Sequence, residues 1–153
     1  MKRDTLIIYV IAILAVVLTS CANSKQQRAD ELLALASQQY ERHDYRGALA
    51  IIDSLRHIYP NAIDTRKKAL RLQQDIELHS AQEELAVVDS MLEAVKHNYD
   101  YQKTKVERDK ANLSATPEEL TMLTLTRMKR DSLQTRFEVL GAKIRYIRKK
   151  QKE

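Results

Sequence analysis

Three properties of the sequence predict an all-α fold. Its 153 residues include only two Gly and two Pro, which leaves little material for hairpin turns or Gly-rich phosphate loops. Aromatic side chains are scarce, with no Trp and one Phe, and this also disfavours sheets. From about residue 28 onward, apolar residues recur at intervals of three and four, the period of a helix face.

The first element is a leader. Met1, Lys2 and Arg3 make a basic start, and residues 6–18 form an unbroken apolar run of thirteen. As a helix that run spans about 20 Å, short of the roughly 30 Å hydrocarbon core of a bilayer. It suits a cleavable signal over residues 1–20 better than a spanning helix. Extending the run to Ala22 gives a borderline span, so an uncleaved signal anchor is the alternative. Either way, residues 22–153 lie outside the cytoplasm.

Leu18-Thr19-Ser20-Cys21 closes the leader with an aliphatic residue, two small or hydroxyl residues and the chain's one cysteine. These four residues resemble the lipobox of bacterial lipoproteins. The resemblance covers residues 1–21 and implies cleavage before Cys21, acylation of its sulfur and a lipidated tether over residues 21–27. Two or more acyl chains bind membranes stably, whereas one binds marginally. No Asp follows Cys21 and no acidic run follows it, so lipoprotein sorting rules imply the periplasmic face of the outer membrane; an inner-membrane signal anchor is the alternative location. A lipidated Cys21 leaves no thiol for a disulfide or for catalysis.

Residues 28–61 read as a helical hairpin. Leu32, Leu33, Leu35, Ala36, Gln39 and Tyr40 make one apolar face, His43-Asp44-Tyr45 interrupts it, and Ala48, Leu49, Ile51, Ile52, Leu55 and Ile58 continue in a second helix. Tyr59-Pro60-Asn61 ends that helix. Ala36, the Tyr45/Ala48 pair and Pro60 resemble the matching positions of a tetratricopeptide unit. Leu32 and Gln39 stand where that family places its Trp and Tyr, so a helical hairpin of no family is the alternative. Leu49-Ala50-Ile51-Ile52-Asp53-Ser54-Leu55 recurs 36 residues later as Leu85-Ala86-Val87-Val88-Asp89-Ser90-Met91.

The second copy has no Gly or Pro breaker, so residues 62–113 are expected to hold one long helix to about Lys110. A break at Ser80, capped by Glu83, is the alternative. Leu78, Ala81, Leu85, Val88, Leu92, Val95, Tyr99 and Val106 follow a three-four spacing interrupted at Gln102, which predicts a coiled-coil seam. Ser114-Ala115-Thr116-Pro117-Glu118-Glu119 reads as a turn, then a Thr116/Glu119 capping box with Pro117 in first helical position. The returning helix occupies residues 114–153. Its Leu133, Phe137, Leu140, Ile144 and Ile147 keep the seam, whereas Leu120, Leu123, Leu125 and Met128 sit in a shifted register, predicting a stutter near residues 128–133. The short connection favours an antiparallel pair within the chain. A homodimer through the seam is the alternative.

No catalytic, cofactor or metal site is expected. His43, His57, His79 and His97 are too far apart in sequence for a helical zinc site, and His43 and His79 suit helix ends. Asp53, Asp89, Asp131 and the Glu83/Glu84 pair lie among basic residues on polar faces. The neighbouring serines have no positioned base. The concentrated signal is basic: Lys143, Arg145, Arg148, Lys149, Lys150 and Lys152 against Glu153 carry 6 − 1 = +5, equal to the net charge of the chain. Such an end can bind anionic lipid or lipopolysaccharide surfaces, at about 1 kcal/mol per charge, or simply complement a helix C-terminus. Nucleic acid is a poor target for an exported chain. The expected role is a lipid-anchored, periplasm-facing, protein-binding scaffold or spacer, with a signal-anchored protein that binds anionic surfaces as the alternative.

Overall fold

The computed structural model describes residues 24–153, which contain four helices and no strand. The helices are α1 (residues 24–41), α2 (Tyr45–Ile58), α3 (Ile63–Ala111) and α4 (Pro117–Lys150). Residues 24–27, expected as a tether, are already helical. The chain divides into a unit ending at Ile76 and a second running from Glu77 to Glu153.

In the first unit, α1, α2 and the opening turns of α3 share a core. Ala36 of α1, Ala48, Ile52 and Leu55 of α2, and Ala69 and Ile76 of α3 are buried together, with Leu32, Leu33, Tyr40, Tyr45 and Leu72 packed around them. The alanines among these residues let the helices approach closely. Leu35 and Ile58, assigned to the apolar faces by spacing, are exposed instead. Burial also reaches a polar side chain, because Thr65 is fully buried and donates to Asp30 Oδ1 at 2.6 Å. Gln26 donates to the same hydroxyl, so Thr65 is satisfied in both directions.

The turn after α1 is a Schellman closure. The Asp44 amide donates to the Gln39 carbonyl and the His43 amide to that of Tyr40, with His43 in the left-handed region at φ 60°. Asp44 then caps α2, its Oδ1 accepting from the Gly47 amide at 2.9 Å. A Cβ on Gly47 would lie 2.2 Å from Asp44 Oδ2, so any larger residue there would make the capping carboxylate shift. The proline turn ends α2 as expected, with the Tyr59 amide returning to the Leu55 carbonyl.

The second unit is an antiparallel coiled-coil hairpin. Lys105 pairs with Glu119, Arg130 stacks 4.2 Å from the centre of the Tyr99 ring, and Arg136 pairs with Glu84. These pairs lie 14, 31 and 52 residues apart, widening away from the connection as antiparallel helices require. Ala81, Val88, Leu92, Leu133, Leu140 and Ile144 form the buried seam, flanked by Leu78, Leu85, Val95 and Phe137. Helix α3 is continuous through Ser80, so His79 sits in a helix interior and not at an end. Its extent of 49 residues is that expected without a breaker.

The predicted stutter does not occur. Positions 123, 126, 130, 133, 137, 140, 144 and 147 of α4 are covered in an uninterrupted alternation of three and four, with Gln134 and Gly141 half-buried beside them. Leu120, Leu125 and Met128 are exposed off the seam, while Thr126 is buried on it and Arg130 lies over Tyr99. The apolar pattern shifts there, but the packing register does not, because Thr126 and the stem of Arg130 fill seam positions that hydrophobic side chains usually take. Gln102 also occupies the seam. Its amide nitrogen reaches Asn98 Oδ1 at 3.3 Å, and its Oε1 is buried without a hydrogen-bond partner among the described residues.

The internal repeat shows how context selects from one motif. Ile52 and its counterpart Val88 are both buried, whereas Leu55 is buried and Met91 is exposed. Helix α2 is packed by two helices and needs a wide apolar face. The second copy lies in a two-helix seam, which covers only a narrow stripe.

Helix α3 ends in a second Schellman closure, in which the Ser114 amide donates to the Asp109 carbonyl at 2.8 Å and Leu113 takes φ 56°. The capping box then starts α4: Thr116 Oγ1 accepts from the Glu119 amide and Glu119 Oε2 from the Thr116 amide. Leu113 is 96% exposed, so its side chain offsets little of the strain of a left-handed backbone. Leu113→Gly is expected to stabilise the protein by about 1 kcal/mol, seen as a higher midpoint of urea unfolding. Leu92→Ala, at a buried seam position, is expected to cost about 2–5 kcal/mol in the same measurement.

Candidate functional site

Cys21 and the leader that precedes it lie outside the described residues. Among the described residues, no helix is long and apolar enough to cross a membrane. The structure therefore bears on the second group of candidates, the basic end of α4.

Seam packing organises that end. Ile144 and Ile147 are buried, so the last two turns of the helix are held in place by the hairpin. Lys143, Arg145, Arg148, Lys149, Lys150 and Lys152 are all exposed. At about 100° per residue the five on α4 point to several sides of the helix away from the seam, and Lys152 follows its end, so the six form a collar and not a stripe. Tyr146 is exposed among them, presenting an apolar ring with a polar tip. Arg148, Lys149 and Lys150 occupy the last turn, where cations oppose the helix dipole.

Lys150 is engaged locally, with its ammonium 2.6 Å from Glu153 Oε2. The hydrogen bond that Lys150 donates to Glu153, then the charge of Glu153, raise the Lys150 pKa above the ordinary lysine value. An exchange of the same kind occurs at the other end of the hairpin. Hydrogen bonding to Glu119, then its charge, raise Lys105, and hydrogen bonding to Lys105 followed by the Thr116 amide lowers Glu119. Both pairs hold structure at helix ends.

The remaining candidate side chains are dispersed. His43 Nδ1 lies 3.1 Å from the Tyr45 hydroxyl in the first turn, and His57 is in the last turn of α2. No group of three His, Cys, Asp or Glu could hold a metal ion among the described residues. Asp53, Asp89 and Asp131 are exposed, as are Ser90 and Ser132, and the Ser54 hydroxyl donates to the Ala50 carbonyl. Two shallow, open depressions mark the surface. One is lined by Gln26, Gln27, Asp30, Glu31 and Ala34, the other by Pro117, Glu118, Thr121, Met122 and Leu125.

No protein-family model, curated protein or solved structure matches this chain. The class that the fold defines is an all-α protein with a helical hairpin followed by a coiled-coil hairpin. The tetratricopeptide and lipoprotein readings rest on the residues quoted for them.

Sequence reading missed the Gln26–Thr65–Asp30 cluster, because Thr65 lies 39 and 35 residues from its partners and the three carry no motif. The Glu84–Arg136 pair was equally hidden, although extending the heptad through Thr126 and Arg130 would have aligned the two helices. The burial of Ile144 and Ile147 also determines how the basic collar must be tested. Deleting residues 143–153 would unpack the seam, whereas changing the six basic residues to Gln leaves it filled. The full chain with those changes is expected to lose its preference for vesicles rich in phosphatidylglycerol over neutral vesicles at low salt. Unchanged binding would show that the collar only solubilises the helix end.

Proposed function

We propose that this protein is a lipid-anchored envelope lipoprotein, held by acyl chains on Cys21 at the periplasmic face of the outer membrane, whose helical body binds other proteins and catalyses no reaction. The observation that carries the reading is Leu18-Thr19-Ser20-Cys21 directly behind the apolar run of residues 6–18. The body supports it in a general way. Its buried side chains are used in helix packing, and its charged and polar groups are spread over helix surfaces, an arrangement suited to contact with other macromolecules.

The exposed basic collar favours a second reading, in which the chain is retained by its uncleaved N-terminal segment and α4 binds anionic headgroups. The N-terminus separates the two. Mass spectrometry of the full-length product, purified from bacterial membranes in detergent, is expected to show a chain beginning at Cys21 with the added mass of two or three acyl chains. A Cys21→Ser variant is expected to lack that increment. A native chain that begins at Met1, or an increment retained in the Ser variant, overturns the lipoprotein reading.

A further inference from the structure

Helix α4 carries a second stripe, and nothing in the chain described above uses it. From residue 125 to residue 146 the three-four spacing passes through Leu125, Met128, Val139, Ala142 and Tyr146, with the hydroxyls of Ser132 and Thr135 between them. No charged residue interrupts it. Leu125, Met128, Val139 and Tyr146 are 55%, 61%, 61% and 62% exposed, and the three smaller side chains are exposed as well. The stripe lies roughly 150° around the helix from the buried seam at about 100° per residue, so α3 does not cover it. The depression that includes Thr121 and Leu125 marks its N-terminal end.

The charges beside the middle of this stripe are sorted by sign. Lys129, Arg136, Lys143 and Lys150 follow one edge at intervals of seven, and Asp131 and Glu138 follow the other, which ends in Arg145. In a parallel coiled coil, a residue on one edge meets the residue five positions later on the opposite edge of its partner. Asp131 would then meet Arg136 of the second copy, and Glu138 would meet Lys143, while Arg145 meets Lys150 as a like charge only at the C-terminal end, beyond the middle of the contact. In an antiparallel pair each edge meets itself, placing bases against bases and acids against acids. Local contacts leave capacity for the parallel pairing. Arg136 uses Nε and Nη2 on Glu84, Asp131 accepts from Arg130 through Oδ1, and Glu138 accepts from Gln134 through Oε1, so the other nitrogen or oxygen of each remains available.

We infer that the outer face of α4 is a homodimer interface, on which a second copy of this chain packs in parallel and in register. Ser132, Thr135 and Ala142 allow the two backbones to approach closely at the middle of the contact, while Leu125, Met128, Val139 and Tyr146 supply the apolar area. The α3–α4 hairpin of each copy stays intact. This inference does not depend on lipidation of Cys21, since it uses only the face and its edges.

Cysteine crosslinking of the full chain in detergent tests it. In a parallel dimer identical positions on the stripe face each other, so Leu125→Cys and Val139→Cys are each expected to form disulfide-linked dimers on mild oxidation. The expected yield is at least tenfold above that of Arg127→Cys, which lies off the stripe, and above the baseline of the native chain with Cys21 alone. Sedimentation of the native chain is expected to give twice the protomer mass, and Asp131→Lys/Glu138→Lys is expected to lower crosslinking at both sites. All substituted positions are exposed, so retained helicity and an unchanged melting midpoint verify the fold. A monomeric mass overturns the inference, as do equal yields at residues 125, 139 and 127. Crosslinking that ignores the charge reversal, or that joins residue 125 to residue 146 and not to itself, also overturns it by removing the parallel register.

Discussion

The coiled-coil unit depends on one constraint: the apolar stripe of α3 must be covered. Helix propensity contributes only fractions of a kcal/mol per residue, and long helices in water owe their stability mostly to a packed face. From Leu78 to Val106 that face is narrow and regular, so it calls for another helix and not for a sheet or a broad core. Helix α4 supplies the cover from the same chain. Its length, its antiparallel direction and the tight connection at residues 112–116 all follow from that task. The basic end is affected too, because Ile144 and Ile147 anchor the turns that carry the collar.

Polar residues on the seam show a balance between stability and register. A seam built wholly from Leu and Val would be more apolar, yet it would also tolerate sliding by one heptad. Gln102, Thr126 and the Arg130–Tyr99 contact mark individual positions near the connection. A slip of seven residues would bury Arg130 away from its ring and separate Lys105 from Glu119. Such residues cost some burial energy, and a buried acceptor such as Gln102 Oε1 can cost about 1–3 kcal/mol. The first unit treats polarity differently. There Thr65 is fully enclosed but receives and donates hydrogen bonds, so its burial leaves no group unsatisfied.

Local signals were legible in the sequence, and through-space ones were not. The Thr116/Glu119 box, Pro117, the turn at His43-Asp44-Tyr45 and the stop at Pro60 act over four residues or fewer, and each helix boundary they mark occurs in the structure. The expected stutter is absent because hydrophobicity does not follow the seam here: Leu125 and Met128 are apolar but exposed, while Thr126 and Arg130 are polar but covered. Leu35 and Ile58 failed for a related reason, since spacing shows which side a residue takes but not where its neighbour ends. For the candidate site, the six basic residues were evident from the sequence. Their distribution as a collar, and their dependence on two buried isoleucines, required the packing.

The tight connection between α3 and α4 bears on the order in which the hairpin closes. Bringing Lys105 to Glu119 closes a loop of 14 residues, whereas bringing Glu84 to Arg136 closes one of 52. Loop entropy makes the second contact harder to reach first by about 1 kcal/mol. The Schellman closure at Leu113 and the capping box at Thr116 also form from neighbouring residues alone, so both helix ends can be in place before any distant contact exists. Each layer outward from the loop encloses a few more residues while burying another pair of seam side chains, so the layers that hold the basic end carry the largest loop-closure cost of the hairpin.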